Sequence, residues 1–148
     1  MRPVVSSSGL TLNASKVAEP LNGYDLVIVP GGLGSRALIE DSDFIRWLTT
    51  AEACPIKASV CTGSLLLGAA GFLKGKRATT HPNAFSDLRK YCAQVVDSRI
   101  VDEGDVITAR GVTSSIDLGL YLCARLASSQ AEQSIRKQMD YPYAWKSA

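Results

Sequence analysis

The stretch "KASVCTGSLLLGAAGFL", residues 57–73, decides how the chain is read. A β-branched run from Ile56 to Val60 stops at Cys61, the small residues Thr62, Gly63 and Ser64 follow, and an apolar run of helical length begins at once. Short β-branched runs bounded by turn signals read as buried strands. Cys61 therefore stands at a strand-to-helix junction. A tight turn there lifts a side chain clear of the backbone, and the unsatisfied N–H groups of a helix's first turn favour negative charge upon it. Small neighbours let a substrate approach. From these residues alone Cys61 is either a nucleophile or packing material.

Outward from that junction, "YDLVIVPGG" (24–32) is apolar on both faces, as parallel strands covered by helices are. "DSDFIRWLTTAEA" (41–53) is a helix in which Asp41 or Ser42 caps and Phe44, Ile45, Leu48 and Ala51 share a face. Asp41 and Asp43 are read as caps rather than catalytic acids. The glycines of 62–73 are read as close-packing positions, with Gly71 closing the helix. "NAFSDLRKYC" (83–92) gives a shorter helix after Pro82, and 93–111 gives two or three short strands with a hairpin tip at Glu103 and Gly104. "TSSIDLGLYLCARLA" (113–127) is a helix expected to turn Ile116, Leu120, Cys123 and Ala127 to the core, and the tail adds a turn or two of helix before Pro142. With "RPVVSS" (2–7) as a first extended piece, strands alternate with helices, which implies right-handed crossovers and a mostly parallel sheet. Ligands of such sheets bind beyond the carboxyl ends of the strands. Cys61 and the "PGGLGS" turn (30–35) both fall there. That turn is expected to leave the N–H groups of Gly32 and Leu33 free for a developing oxyanion, although a glycine turn equally serves chain reversal.

Composition bounds the rest. A chain of 148 residues makes a single domain, here 1–148, and buries roughly 70% of the surface its unfolded form exposes. A net charge of +2 with scattered lysines and arginines gives no nucleic-acid footprint, and "KGKR" (74–77) is read as a solvated loop. No signal peptide and no apolar run near the ~20 residues of a membrane span is present, which points to the cytoplasm and away from membranes. Four cysteines without a C-x-x-C pair and the single His81 offer no metal site. Cys54, Cys92 and Cys123 are read as packing thiols, and Trp47 and Trp145 as packing aromatics.

Three blocks, "DLVIVPGG", "VCTGSLLLGAAGFLKGKRATTHP" and "VDEGDVITARGVTSSIDLGLYL", resemble the ThiJ/PfpI superfamily in order and spacing, from about Ser6 to about Tyr141. The resemblance implies an α/β, flavodoxin-like three-layer sandwich with a mostly parallel sheet. The form Cys-Thr-Gly-Ser followed by "GKRATTH" is similar to the isonitrile hydratase branch and to the amidotransferase-like domain of certain AraC-type regulators. It implies Cys61 as nucleophile, Thr62 as the neighbour that holds the intermediate, Gly32, Leu33 and Gly63 as the oxyanion and substrate contacts, and no metal or organic cofactor. The substrate would be a small isonitrile, hydrated to an N-substituted formamide. His81 has two readings, a base for the thiol or a hydrogen-bonded residue lining the pocket, and the hydratase-like pattern favours the second. The family's first strand, loop and acid-bearing helix have no counterpart here, so the chain is expected to be N-terminally truncated. The exposed apolar face this leaves is covered by a partner in a homodimer, or else the chain is a shortened or degraded relative. Loss of a general acid costs roughly 10²- to 10⁴-fold in rate, hence the alternative reading, a weakly catalytic or inactive ligand-sensing domain.

Overall fold

Ile56–Val60 carries the architecture. All its residues but the last are buried, because it is covered on both faces and flanked on both edges. A computed structural model describes residues 3–6 and 8–143; Trp145 lies outside them. In chain order the elements are β1 (Pro3–Val5), β2 (Thr11–Asn13), β3 (Leu26–Val29), α1 (Ser35–Ile39), α2 (Ser42–Thr49), β4 (Ile56–Val60) and α3 (Gly63–Ala69). They continue as β5 (Arg77–Ala78), α4 (Phe85–Leu88), β6 (Gln94–Val95), β7 (Ile100–Asp102), β8 (Val106–Ala109), α5 (Ser114–Leu126) and α6 (Ser129–Gln138).

The main sheet runs β3-β4-β8-β7, with the first three strands parallel and β7 antiparallel to β8. The β7–β8 hairpin turns where expected, with Gly104 at φ +89 and its N–H on Asp102 Oδ1 at 2.7 Å. Alternation along β4 and β8 divides the core. Val106 packs with Leu48 of α2, Leu65, Leu66 and Leu67 of α3 and Leu88 of α4. Ile56, Ala58, Ile107 and Ala109 face the other way, onto Leu118 and Leu122 of α5. These are the three layers. Fully buried leucines such as Leu65 and Leu67 contribute roughly 1.5–3 kcal/mol each relative to exposure. Val29 pairs with Ser59 and Val60 with Ala109, so the carboxyl ends of β3, β4 and β8 finish level. Pro30, Cys61 and Arg110 thus leave the sheet side by side.

Several local expectations hold. Asp41 caps α2, accepting from the N–H groups of Asp43 and Phe44 at 3.0 Å each. Gly68 is a close-packing position, since an added Cβ would lie 2.5 Å from Tyr91 Cβ, and Gly71 follows α3 at φ +88. Others need correction. "RPVVSS" does not enter the main sheet: β1 pairs antiparallel with β2 in a two-stranded ribbon whose six residues are all exposed. Asp43 is no cap but an ion-pair partner of Arg46 at 3.1 Å. Of the expected face of α5, Leu120 is buried but Ile116 and Cys123 are only half-buried and Ala127 is exposed, while Asp117, Leu118 and Leu122 are buried instead. Asp117, 0% exposed, accepts from Arg99 Nε at 2.7 Å and Tyr141 Oη at 3.1 Å, which ties the segment after α6 to the sheet. Burial first, and then the Asp117 charge, hold the Tyr141 phenol above its ordinary pKa. "KGKR" is not simply solvated: Lys76 meets Asp105 and Arg77 meets Glu103, each at 2.7 Å, joining β5 to the hairpin tip. The tail helix, α6, runs ten residues, longer than expected.

Candidate active site

Cys61 sits at φ +58, in the left-handed region that costs a non-glycine residue of order 1–3 kcal/mol. Neighbours on both sides hold it there. Its N–H is shared between the carbonyls of Ala109 at 3.0 Å, the last residue of β8, and Arg110 at 2.7 Å, the residue after it. Its own carbonyl accepts from Ser64 N–H at 3.3 Å, Ser64 Oγ at 3.1 Å and Thr80 Oγ1 at 3.0 Å. The residue is half-buried at the carboxyl edge of the central strand.

Two glycines let the turn after β3 press against this elbow. A Cβ on Gly63 would lie 2.1 Å from Val29 O, and one on Gly31 would lie 2.6 Å from Thr62 N and 2.9 Å from Cys61 Cβ. Neither overlap is tolerable, since real Cβ atoms do not approach backbone so closely. Gly63 is thus a close-packing position, as expected of the glycines of 62–73, and its missing side chain serves the packing of α3 on β3. Thr62, 6% exposed, completes the clamp: its Oγ1 accepts the Gly32 N–H at 3.0 Å and lies 3.2 Å from Gly32 O.

That bond corrects the expected oxyanion hole. The Gly32 N–H is committed to Thr62, and the Thr62 hydroxyl is committed in return, so neither is free for an intermediate. Among the described residues the N–H groups of Leu33, Thr62 and Gly63 have no acceptor, whereas those of Ser64 and Leu65 turn back onto Cys61 and Thr62. Leu33 itself is 89% exposed beside the turn.

His81 accepts the Asn83 N–H on Nδ1 at 3.2 Å, which makes the imidazole the cap of a 3-10 turn over Pro82–Ala84. A Cβ on Gly111 would lie 3.6 Å from its Cδ2, so it packs at the end of β8. No hydrogen bond joins it to Cys61 among the described residues. No carboxylate there bonds Cys61 either: Glu19 pairs with Lys16 at 2.8 Å and Asp43 with Arg46. No group of three metal-ligating side chains occurs among the described residues. All four thiols are free; Cys54 is buried and donates to Ile56 O at 3.3 Å, and burial pushes the half-buried Cys92 thiol up. Sequence reasoning gave Gly31 and Ser64 no part beyond that of small turn residues and gave Thr80 none, since a small polar side chain near a short strand is its one local signal.

The DJ-1/PfpI family model matches residues 1–125, a span that contains β3, the elbow and all but the last residue of α5. The chain belongs to the DJ-1/PfpI family. It is 42% identical over 143 residues to the isonitrile hydratase of Pseudomonas putida, covering 94% of this chain and 61% of that protein. It is 31% identical to the HTH-type transcriptional regulator CdhR of Pseudomonas aeruginosa, covering 92% of this chain and 41% of the regulator. Among solved structures, a THiJ/PfpI family protein from Pseudomonas syringae superposes with a TM-score of 0.89 at 29% identity, over 97% of this chain and 60% of that one. The α/β fold with its mostly parallel sheet is thus the family's. The chain spans about 60% of the length of the hydratase and of the Pseudomonas syringae protein.

Proposed function

We propose that this DJ-1/PfpI protein is a cysteine-dependent hydratase of the isonitrile type with Cys61 as nucleophile. The observation that carries the reading is the left-handed Cys61, half-buried at the end of the central strand and held through both of its peptide groups. Strain of this kind persists where the surroundings over-determine it, and it lifts the sulphur off the sheet edge. The 42% identity to a named isonitrile hydratase supports the substrate class.

In this reading the Cys61 sulphur bonds to the terminal isonitrile carbon, and the thiol proton ends on that carbon, giving a thioimidate. Water then adds its oxygen to the carbon and a proton to nitrogen. Breakage of the C–S bond returns the thiol and releases the N-substituted formamide, so one isonitrile and one water are consumed. The uncommitted N–H groups of Leu33, Thr62 and Gly63 are the available donors for charge that develops during water addition. The reading carries with it a single domain over 1–148, a small-molecule substrate, no metal or organic cofactor, and a cytoplasmic homodimer. The homodimer is supported by Val4, Val5, Leu10 and Leu12, each more than half exposed on one ribbon. No helix among the described residues is long and apolar enough to cross a membrane.

A ligand-sensing domain is the second reading, favoured by the committed Gly32 N–H and by the likeness to a transcriptional regulator. Incubation with an aryl isocyanide separates the two. The hydratase reading expects formamide from the native chain and none from Cys61→Ser; binding heat without any formamide from either protein decides for the sensor.

A further inference from the structure

We propose that Thr80 is a positioning residue for Cys61, a role that rests on the reading of Cys61 as nucleophile. A cysteine in the left-handed region stays there only while both flanking peptide groups are held. The N–H side is gripped by the backbone that ends β8. On the carbonyl side, Ser64 lies three residues along the same turn and moves with it. Thr80 Oγ1, at 3.0 Å, is the one side chain among the described residues that reaches this carbonyl from a different element.

The hydroxyl is well placed to act as a fixed point. Thr80 is 0% exposed and follows β5, a two-residue strand outside the main sheet. On one side of it the Thr79 N–H donates to Thr108 Oγ1 of β8 at 2.9 Å, and on the other His81 caps its 3-10 turn. The segment is therefore anchored both before and after the residue that holds the elbow. The Cys61 carbonyl shares a planar peptide with the Thr62 N–H. Fixing the oxygen thus fixes the tilt of that plane, the direction in which Cβ leaves Cα toward the sulphur, and the aim of the Thr62 N–H, one of the uncommitted donors at the site. Thr80 touches no reacting atom; it acts through Cys61 and Thr62.

The test uses the full chain as Thr80→Val, Thr80→Ser and Cys61→Ser. Two quantities are read: initial rates with phenyl isocyanide resolved into kcat and KM, and the alkylation rate of each thiol by iodoacetamide at one pH, assigned by peptide mass. Valine keeps the shape and removes the hydroxyl, and misplacement of reacting groups by an ångström costs on the order of 10²-fold. Thr80→Val should lower kcat at least ~10-fold with KM within about twofold, slow alkylation at Cys61 alone, and leave Thr80→Ser close to native. Native behaviour of Thr80→Val overturns the proposal, as does an equal loss in Thr80→Ser. Alkylation of the buried Cys54 in Thr80→Val also overturns it, because the effect is then general loosening. Formamide production that survives in Cys61→Ser removes the nucleophile reading and this proposal with it. An inert Cys61→Ser beside an unchanged Thr80→Val removes the proposal alone. If native and Cys61→Ser are both inert, the alkylation arm still decides the Thr80 question.

Discussion

The Cys61 elbow and the β1–β2 ribbon are both tight reversals in the same chain, and they are held in opposite ways. At the elbow an unfavourable backbone conformation is fixed by hydrogen bonds from β8, Ser64 and Thr80, and by a turn that fits only because Gly31 and Gly63 lack a Cβ. The ribbon has easy geometry, with a glycine at φ +84 in its turn, yet all six strand residues are exposed and its apolar side chains join neither core cluster. At Cys61 a strained backbone is held by close packing, whereas Ala18 and Asp140, the other non-glycine residues at positive φ among those described, lie exposed. A site that must present one side chain at a set angle needs that density, and a surface ribbon does not.

Substitutions that fill or empty these two regions test the contrast. The largest effect is expected at Gly63→Ala, whose Cβ would overlap the carbonyl of Val29; the loss should be about 3 kcal/mol or more in urea denaturation, and a loss near zero would mean that β3 and α3 can part freely. Cys61→Gly should move the other way. Relief of the left-handed strain, partly offset by glycine's freedom in the unfolded chain, should raise stability by roughly 1 kcal/mol in the same assay while abolishing chemistry at the site.

A smaller effect separates the hairpin tip from the elbow. Burial works to raise the Asp105 carboxyl, but the hydrogen bond and charge of Lys76 outweigh it and hold the group below its ordinary value. A depressed carboxylate contributes stability above its unfolded pKa of about 3.9 and loses it as pH falls through the lower folded value. Lys76→Met should therefore cost about 0.2–1 kcal/mol near neutral pH, and the gap from the native chain should close below the aspartate range. A gap that stays constant with pH would assign the loss to packing of the lysine stem. The smallest change is expected for Val4→Thr and Leu12→Thr on the ribbon, within about 0.5 kcal/mol in dilute solution. A concentration-dependent loss on those substitutions would show that the ribbon is buried in a homodimer.

The sequence made the site's location legible and much of its construction illegible. The end of β4, the small residues after Cys61 and the glycine turn after β3 are local signals, and each stands where it was expected. What those residues do depends on contacts about thirty positions apart. Gly63 reads as a close-packing glycine, but only the structure shows that the Val29 carbonyl is what it packs against, and Gly32 reads as a free donor until Thr62 is seen to accept from it. Thr80 carries no local signal beyond a small polar side chain near a short strand. The face of α5 was misplaced because periodicity assigns aspartate to solvent, whereas Arg99 and Tyr141 make Asp117 a buried residue. "KGKR" looked like a solvated loop because its partners, Glu103 and Asp105, lie in a hairpin that is distant in sequence and close in space.

The most direct test of Cys61 as nucleophile is the mass of its own peptide during turnover. The native chain is mixed with an aryl isocyanide, quenched in acid within the first turnovers, and digested for peptide mapping. The account predicts an adduct equal in mass to the isocyanide on the peptide containing Cys61, with Cys54, Cys92 and Cys123 unmodified and no adduct in Cys61→Ser. An adduct on another cysteine, or formamide production that continues undiminished in Cys61→Ser, would contradict it.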